Sequence, residues 1–204
     1  MMMAFVHGFV LALGLILPLG PQNVFVFNQG ALHHRLTRAL PAVITAALCD
    51  TLLIALAVLG VSVAVMAITW LKTVIFLIGF VFLILIGWQI WKSDATVQEA
   101  KKTAPLKQVV FALSVSLLNP HAILDTVGVI GTGSLAYVGK EKWVFTLSCI
   151  LVSWLWFFGL ALGGRLIGNV DREGRWINRL NKLSAIIIWI VAVYFFYQMF
   201  TNLI

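Results

Sequence analysis

Charge is scarce in this chain. Only 10% of its 204 residues are Asp, Glu, Lys or Arg, against 62% hydrophobic, and its mean hydropathy is +1.04. A soluble domain needs more charge than that to cover a water-facing surface, so that class is excluded. Polar–apolar alternation is missing too; the apolar runs are continuous, which excludes an outer-membrane barrel. Cysteine is limited to Cys49 and Cys149, both inside apolar runs, so no extracellular disulfide framework is expected. There is no His/Cys cluster of metal-ligand type, and neither a metal nor a cofactor is expected. No nucleophile–base constellation stands out, and the loops are too short to hold an active site, so an enzyme is not expected. The first twenty residues, MMMAFVHGFVLALGLILPLG, lack the basic leader of a signal peptide and read as a retained first span. The net charge is +7, yet the basic residues sit in short loops between apolar runs. Membrane orientation accounts for them better than nucleic acid does.

What remains is a multi-span α-helical membrane protein with the lipid bilayer as its solvent. Six apolar runs mark spans, at about 4–28, 41–66, 73–91, 108–131, 143–167 and 183–203. The longest polar connection, KSDATVQEAKKTAPLK (92–107), divides the chain into three-span halves, 1–91 and 108–204. Loops 1–2, 3–4 and 5–6 hold Arg35, Arg38, Lys92, Lys101, Lys102, Lys107, Arg165, Arg172, Arg175, Arg179 and Lys182. The other side holds Lys72, Lys140 and Lys142. That bias puts the first set of loops in the cytoplasm and both termini outside.

Three spans per half give the halves opposite orientation, which invites a search for an inverted repeat. LGPQNVFVF (19–27) lays over LNPHAILDT (118–126), with Pro21 on Pro120 at an offset of 99. DTLLIALAVLG (50–60) lays over SWLWFFGLALG (153–163) at an offset of 103, with Gly60 on Gly163. A weaker third pairing starts at Trp70 and Trp176. Chance similarity between apolar segments is the alternative, but order and spacing agree across all three. The repeat pairs two interruptions. Pro18, Gly20 and Pro21 break span 1, and Pro120 breaks span 4. Proline removes a backbone donor and clashes with the preceding turn. A simple kink is the bland reading. Broken helices at matched positions of inverted halves, flanked by Gln22, Asn23, Asn119 and His121, point instead to a midplane binding site.

Two acids, Asp50 and Asp125, fall inside spans with no Lys or Arg at comparable depth. Each buried carboxylate costs about 2.5–3.5 kcal/mol on insertion scales, so each needs a reason. A structural hydrogen-bonding role is one. Facing a wet cavity that takes a cation, a proton, or each in turn is the other. His121 lies one helical turn before Asp125 and is a secondary candidate. Ser153 overlays Asp50 in the repeat. Trp70, Trp143 and Trp176 sit at span ends and read as the interfacial belt. Mid-span Trp154 and Trp156 could meet a bound cation or simply pack.

The stretches ILPLGPQNVFVFNQG (16–30), LNPHAILDT (118–126) and WLWFFGLALGG (154–164) resemble the lysine/arginine exporter family of bacterial amino-acid efflux permeases, and its arginine exporters most. The resemblance runs along the whole chain. It implies a bacterial inner-membrane permease that exports basic amino acids. By motif position it implicates Pro21, Gln22, Asn23, Asn28, Gln29, Asn119, Pro120, His121 and Asp125, with Asp50 as the family's acid in span 2. One departure is visible: Ile123 stands where the family often has tyrosine. The expected mechanism joins these readings. Helix N-termini after the two breaks would receive a carboxylate. Asp50 and Asp125 would accept the cationic end or carry a coupling proton, with Gln22, Asn23 and Ser153 completing the hydrogen bonds. A neutral amino acid such as homoserine, or a small divalent cation, is the alternative cargo. A thiol–disulfide carrier using Cys49 and Cys149 is an alternative of another class, and it lacks a Cys-x-x-Cys pair. A bundle of six short spans is compatible with a homodimer.

Overall fold

The computed structural model describes residues 1–17, 20–33, 35–60, 69–92, 104–119, 122–123, 126–170 and 175–201. Among these residues the backbone forms helices and no strand. The main elements are α1 (Met2–Ile16), α2 (Pro21–Leu32), α3 (Leu40–Val58), α4 (Thr69–Lys92), α5 (Pro105–Leu117), α6 (Gly139–Val170) and α7 (Arg175–Thr201). A 3₁₀ turn at Leu36–Arg38 precedes α3, and a π-helical segment, Thr126–Gly131, follows α5. Helices α3 and α6 are each long and apolar enough to cross a membrane, and α1 with α2, bent by 80°, would form a third crossing. Most of the expected linker, 93–103, lies outside the described residues, as does the tail of the expected second span.

Two expected boundaries move. Helix α6 runs from Gly139 to Val170, well past the expected 143–167. Hydropathy marks the stretch that suits lipid, whereas Lys140, Glu141 and Lys142 are good helix formers and start the winding ahead of it. For the same reason α7 starts at Arg175 rather than 183. The repeat overlay also meets a difference. Gly60 has φ 78° just past the end of α3, a left-handed terminus that glycine adopts without strain. Gly163 sits inside α6, which continues for seven more residues.

The packing is that of a membrane bundle, in which helix contacts favour small side chains. Ala42, Ala46, Ala47, Ala57, Ala112 and Ala161 are buried, while Leu48, Leu52, Leu85, Leu155 and Trp88 face outward. The broken pair α1–α2 packs along α6. Helix α5 and the π segment pack along α3. Helices α3 and α6 cross each other, and α4 pairs with α7. In that last pair Trp189 donates to the Ile84 carbonyl at 3.3 Å, and Lys92 lies over the Trp88 ring. Trp70 and Trp176 each stand second in their helix, in keeping with their overlay.

Contacts sort the connections into two ends. At one end His33 meets Gln108, Asn28 meets Asn181, and Gly168 lies against Ala31. At the other the N-terminal ammonium pairs with Glu141 at 2.7 Å, and His7 bonds Tyr137 at 2.9 Å. Segments that the charge bias assigns to one side thus gather at one end.

Candidate functional site

The first break is built by proline chemistry. Gly20 is extended (φ −80°, ψ 174°), the conformation favoured before a proline, and Pro21 opens α2 at the position where its missing N–H costs nothing. The Gly20 carbonyl then takes the Val24 N–H at 3.1 Å. The second break repeats this bond. Helix α5 stops at Leu117, and the Asn119 carbonyl takes the Ile123 N–H at 3.2 Å. Each accepting residue stands immediately before a proline. Asn23 closes the first break from the side: its Nδ2 donates to the carbonyl of Ile16, the last residue of α1, at 2.7 Å. That carbonyl would otherwise be an orphan of the helix end.

Both breaks open onto one cavity of about 150 Å³. Gly20, Pro21, Gln22 and Asn23 line it from α2, Asn119 and Thr126 from the fourth apolar run, Asp50 from α3 and Ser153 from α6. Ile54, Leu83, Ile130 and Ile188 supply its apolar wall. One water needs roughly 10–15 Å³ of such space, so the cavity holds several.

The Asp50 carboxylate is the centre of the polar lining. Gln22 Nε2 donates to its Oδ1 at 3.0 Å, and Ser153 Oγ donates to its Oδ2 at 3.1 Å. Gln22 also reaches the Ala46 carbonyl at 3.4 Å, one turn back on α3. Next to this pair, Trp154 Nε1 donates to Thr51 Oγ1 at 3.1 Å. Among the described residues the sole salt bridge joins Met1 to Glu141, so no described cation neutralises Asp50. Its partners leave acceptor capacity on both oxygens. The arrangement can take a cation from the cavity or hold a proton.

The structure therefore brings Gly20, Pro21, Gln22, Asn23, Asp50, Asn119 and Ser153 together. Pro18, Pro120, His121 and Asp125 lie outside the described residues. Cys49 and Cys149 are free and buried; the Cys149 thiol is turned to the Gly8 carbonyl at 3.4 Å. Trp156 does not line the cavity; it sits in an apolar groove between α1 and α6. Residue-level reading missed the polar contacts His33–Gln108 and Asn28–Asn181. Their signal was present: Gln22, Gln29 and His33 repeat on one face of α2.

Residues 13–199 match the family model for LysE type translocators. The chain is 56% identical over 203 residues to YisU of Bacillus subtilis, named as a candidate amino-acid transporter, covering 98% of this chain and 92% of that one. It is 36% identical over 194 residues to the arginine exporter protein ArgO of Salmonella typhimurium, covering 91% and 90%. ArgO of an Enterobacter species is 34% identical over 199 residues, covering 94% and 92%. No solved structure matches.

Proposed function

The chain belongs to the LysE type translocator family, and on that premise we propose that it exports basic amino acids, arginine foremost, from the bacterial cytoplasm in exchange for protons. It is an amino-acid transporter of that family. The observation that carries the finer reading is the Asp50 carboxylate, held by Gln22 and Ser153 at a cavity onto which both helix breaks open. A basic amino acid needs a receptor for its carboxylate and acceptors for its cationic groups. The first-turn N–H groups of α2 carry no side-chain cap and lie at the positive end of the helix dipole, which suits the carboxylate. Asp50 suits the guanidinium or ammonium. A bare divalent cation would have no use for helix N-termini.

Exchange for protons follows from the electrical work. Moving one positive charge outward against about 150 mV costs roughly 3.5 kcal/mol. One inward proton cancels that term. A carboxylate that binds cation or proton, never both, enforces the exchange; Asp50 takes this role, and Asp125 shares it.

Alternating access would come from two inverted three-helix repeats in a six-span bundle. Three observations support this. The pairing of α1–α2 with α6 is matched by that of α5 and the π segment with α3. The two breaks share one hydrogen-bond pattern at an offset of 99. Asp50 touches Ser153, and Thr51 touches Trp154, each pair joined at the repeat offset of 103. Equivalent residues that touch each other must lie on the two-fold axis relating them. The end bearing Arg35 and Arg38 faces the cytoplasm in this reading, and a C-terminal reporter active only outside that compartment tests it.

Counterflow of labelled arginine, lysine and leucine into proteoliposomes at fixed pH tests the cargo. Arginine and lysine should exchange and leucine should not; leucine exchange alone would sink the proposal. Ser153→Ala removes one donor to the carboxylate and should slow arginine counterflow by about tenfold, the worth of one hydrogen bond to a charged group. Cys49→Ser with Cys149→Ser should leave the rate within about twofold, since no step uses a thiol; loss of exchange in that variant would favour a redox carrier.

A further inference from the structure

We propose that Gln29, Gln108 and His33 form a second subsite, an entry station for the cationic end of the substrate, closed off from the central cavity by the contacting rings of Phe25 and Phe111. This rests on the transport reading above. One face of α2 presents Gln22, Phe25 and Gln29 in succession, at spacings that stay on one side of a helix, and His33 caps its end. Gln22 borders the cavity. His33, eleven residues on, lies roughly 16 Å away along the helix axis. Helix α5 runs the opposite way beside it, from Gln108 through Phe111 toward Asn119, which again borders the cavity. The two helices thus present the same order: polar at the cavity, aromatic next, polar at the basic end.

The aromatic step is a closed contact. The Phe25 and Phe111 rings stand 4.4 Å apart between centroids. Both pack into the apolar cluster of Ala42, Val43, Ala46 and Ala112. The polar residues of α2 between Gln22 and Gln29 are engaged elsewhere: Asn23 donates to the Ile16 carbonyl and Asn28 to Asn181.

The polar step beyond it is incomplete. Gln29 and Gln108 are 7% and 2% exposed, and the Oε1 of each has no hydrogen-bond partner. A buried amide oxygen left unmatched costs about 1–3 kcal/mol, and such groups are rare without a purpose. Gln108 is committed through Nε2 to His33 Nε2 at 3.2 Å, which leaves its oxygen as the open end. Burial and then the charge of Arg38 hold the His33 imidazole below its usual pKa. It is therefore neutral near pH 7 and does not repel a cation. Two orphan amide oxygens, one of them on the Gln108 that holds the neutral imidazole, make an acceptor-rich group. A guanidinium, with five donors and no acceptor, is its complement, and an ammonium with three donors fits the same chemistry.

The test separates entry from the central site. Initial rates are measured in proteoliposomes with arginine supplied on the face bearing Arg35 and Arg38, and again on the opposite face. Gln29→Met and Gln108→Met, close in volume but without the acceptor, should each raise KM from the basic face by about tenfold. The maximal rate and the KM from the other face should stay within about twofold. Gln29→Glu, which keeps an acceptor and adds a charge, should hold or lower that KM. Phe111→Ala should open the collar. A cysteine placed at Ala122, in the Cys49→Ser, Cys149→Ser background, should then react faster with a membrane-impermeant thiol reagent from the basic face alone. An unchanged KM in both methionine variants, with Asp50→Asn inactive, overturns the subsite and spares the transport reading; it means that water alone fills the pocket. A KM that rises equally from both faces is general weakening and also overturns it. Wild-type protein that exchanges no cationic amino acid overturns both.

Discussion

Asp50→Asn should cost about a hundredfold or more in arginine counterflow while the protein still folds and inserts. The amide matches the carboxylate in shape, so α3 keeps its crossing with α6. The chemistry changes in two ways. The negative charge that would hold the guanidinium is gone, together with charge-assisted hydrogen bonds worth about 1.5–3 kcal/mol each. One oxygen also becomes an NH₂ donor, facing either the Gln22 amide or the Ser153 hydroxyl, both of which now donate to this side chain. Two lost bonds at 1.4 kcal/mol per decade exceed a hundredfold. The proton exchange should vanish with them, because an amide cannot carry the coupling proton. Thermal melting in detergent within a few degrees of wild type certifies the fold. Counterflow above half the wild-type rate in the variant would show that Asp50 neither binds the cation nor couples it. Asp50→Glu should fall between the two, since it keeps the charge but displaces it by one methylene from both donors.

Much of this site was legible because its residues are out of place. A carboxylate, three amides and a proline inside apolar runs are costly in lipid, so their presence points to a candidate site. The overlay of Asp50 on Ser153 looked modest as sequence, yet the two side chains touch, as the proposed inverted repeat would have them do. Other features left weaker traces. Uniformly apolar helices carry no amphipathic signal that tells a lipid-facing leucine from a packed one. That Leu48 and Leu52 face outward while Ala46, Ala47 and Leu53 are buried follows from neighbouring helices, not from hydrophobicity. The start of α6 was misjudged because lipid preference and helix propensity part company at Lys140, Glu141 and Lys142. The row of Gln22, Gln29 and His33 was readable along α2, but its partner Gln108 was hidden, since it stands on α5 and no single-helix pattern contains it. Asn23 lines the cavity as its position beside the break suggests, and its Nδ2 also holds the end of α1, which the sequence did not show.

The largest structural effect should come from two glycines that do not line the cavity. Gly30→Leu or Gly164→Leu should abolish recovery of folded protein, and transport with it. At Gly30 an added Cβ would meet the Ala161 backbone; at Gly164 it would meet the backbone of Phe27 and Ala31. These are main-chain atoms of the facing helix, so no side chain can swing aside. Overpacking a well-fitted core commonly costs about 1–3 kcal/mol, and more where backbone must separate. Here the only relief is to push α2 off α6 along their whole seam, since Gly168 makes the same close approach to Ala31 one turn further on. That seam positions the site. Gln22 reaches Asp50 from α2, and Ser153 reaches it from α6, so a shift of about 1 Å between the helices breaks one bond or the other. Gly163 provides the internal control. It neighbours Gly164 in the same helix, but nothing lies within 4 Å of the Cβ it would carry. Gly163→Ala should match wild type in melting temperature and counterflow, whereas even Gly164→Ala should lower both. Size-exclusion recovery and melting in detergent measure the first quantity, and proteoliposome counterflow the second. If Gly164→Leu were recovered at wild-type yield with full counterflow, the tight α2–α6 seam would not be what sets the geometry around Asp50.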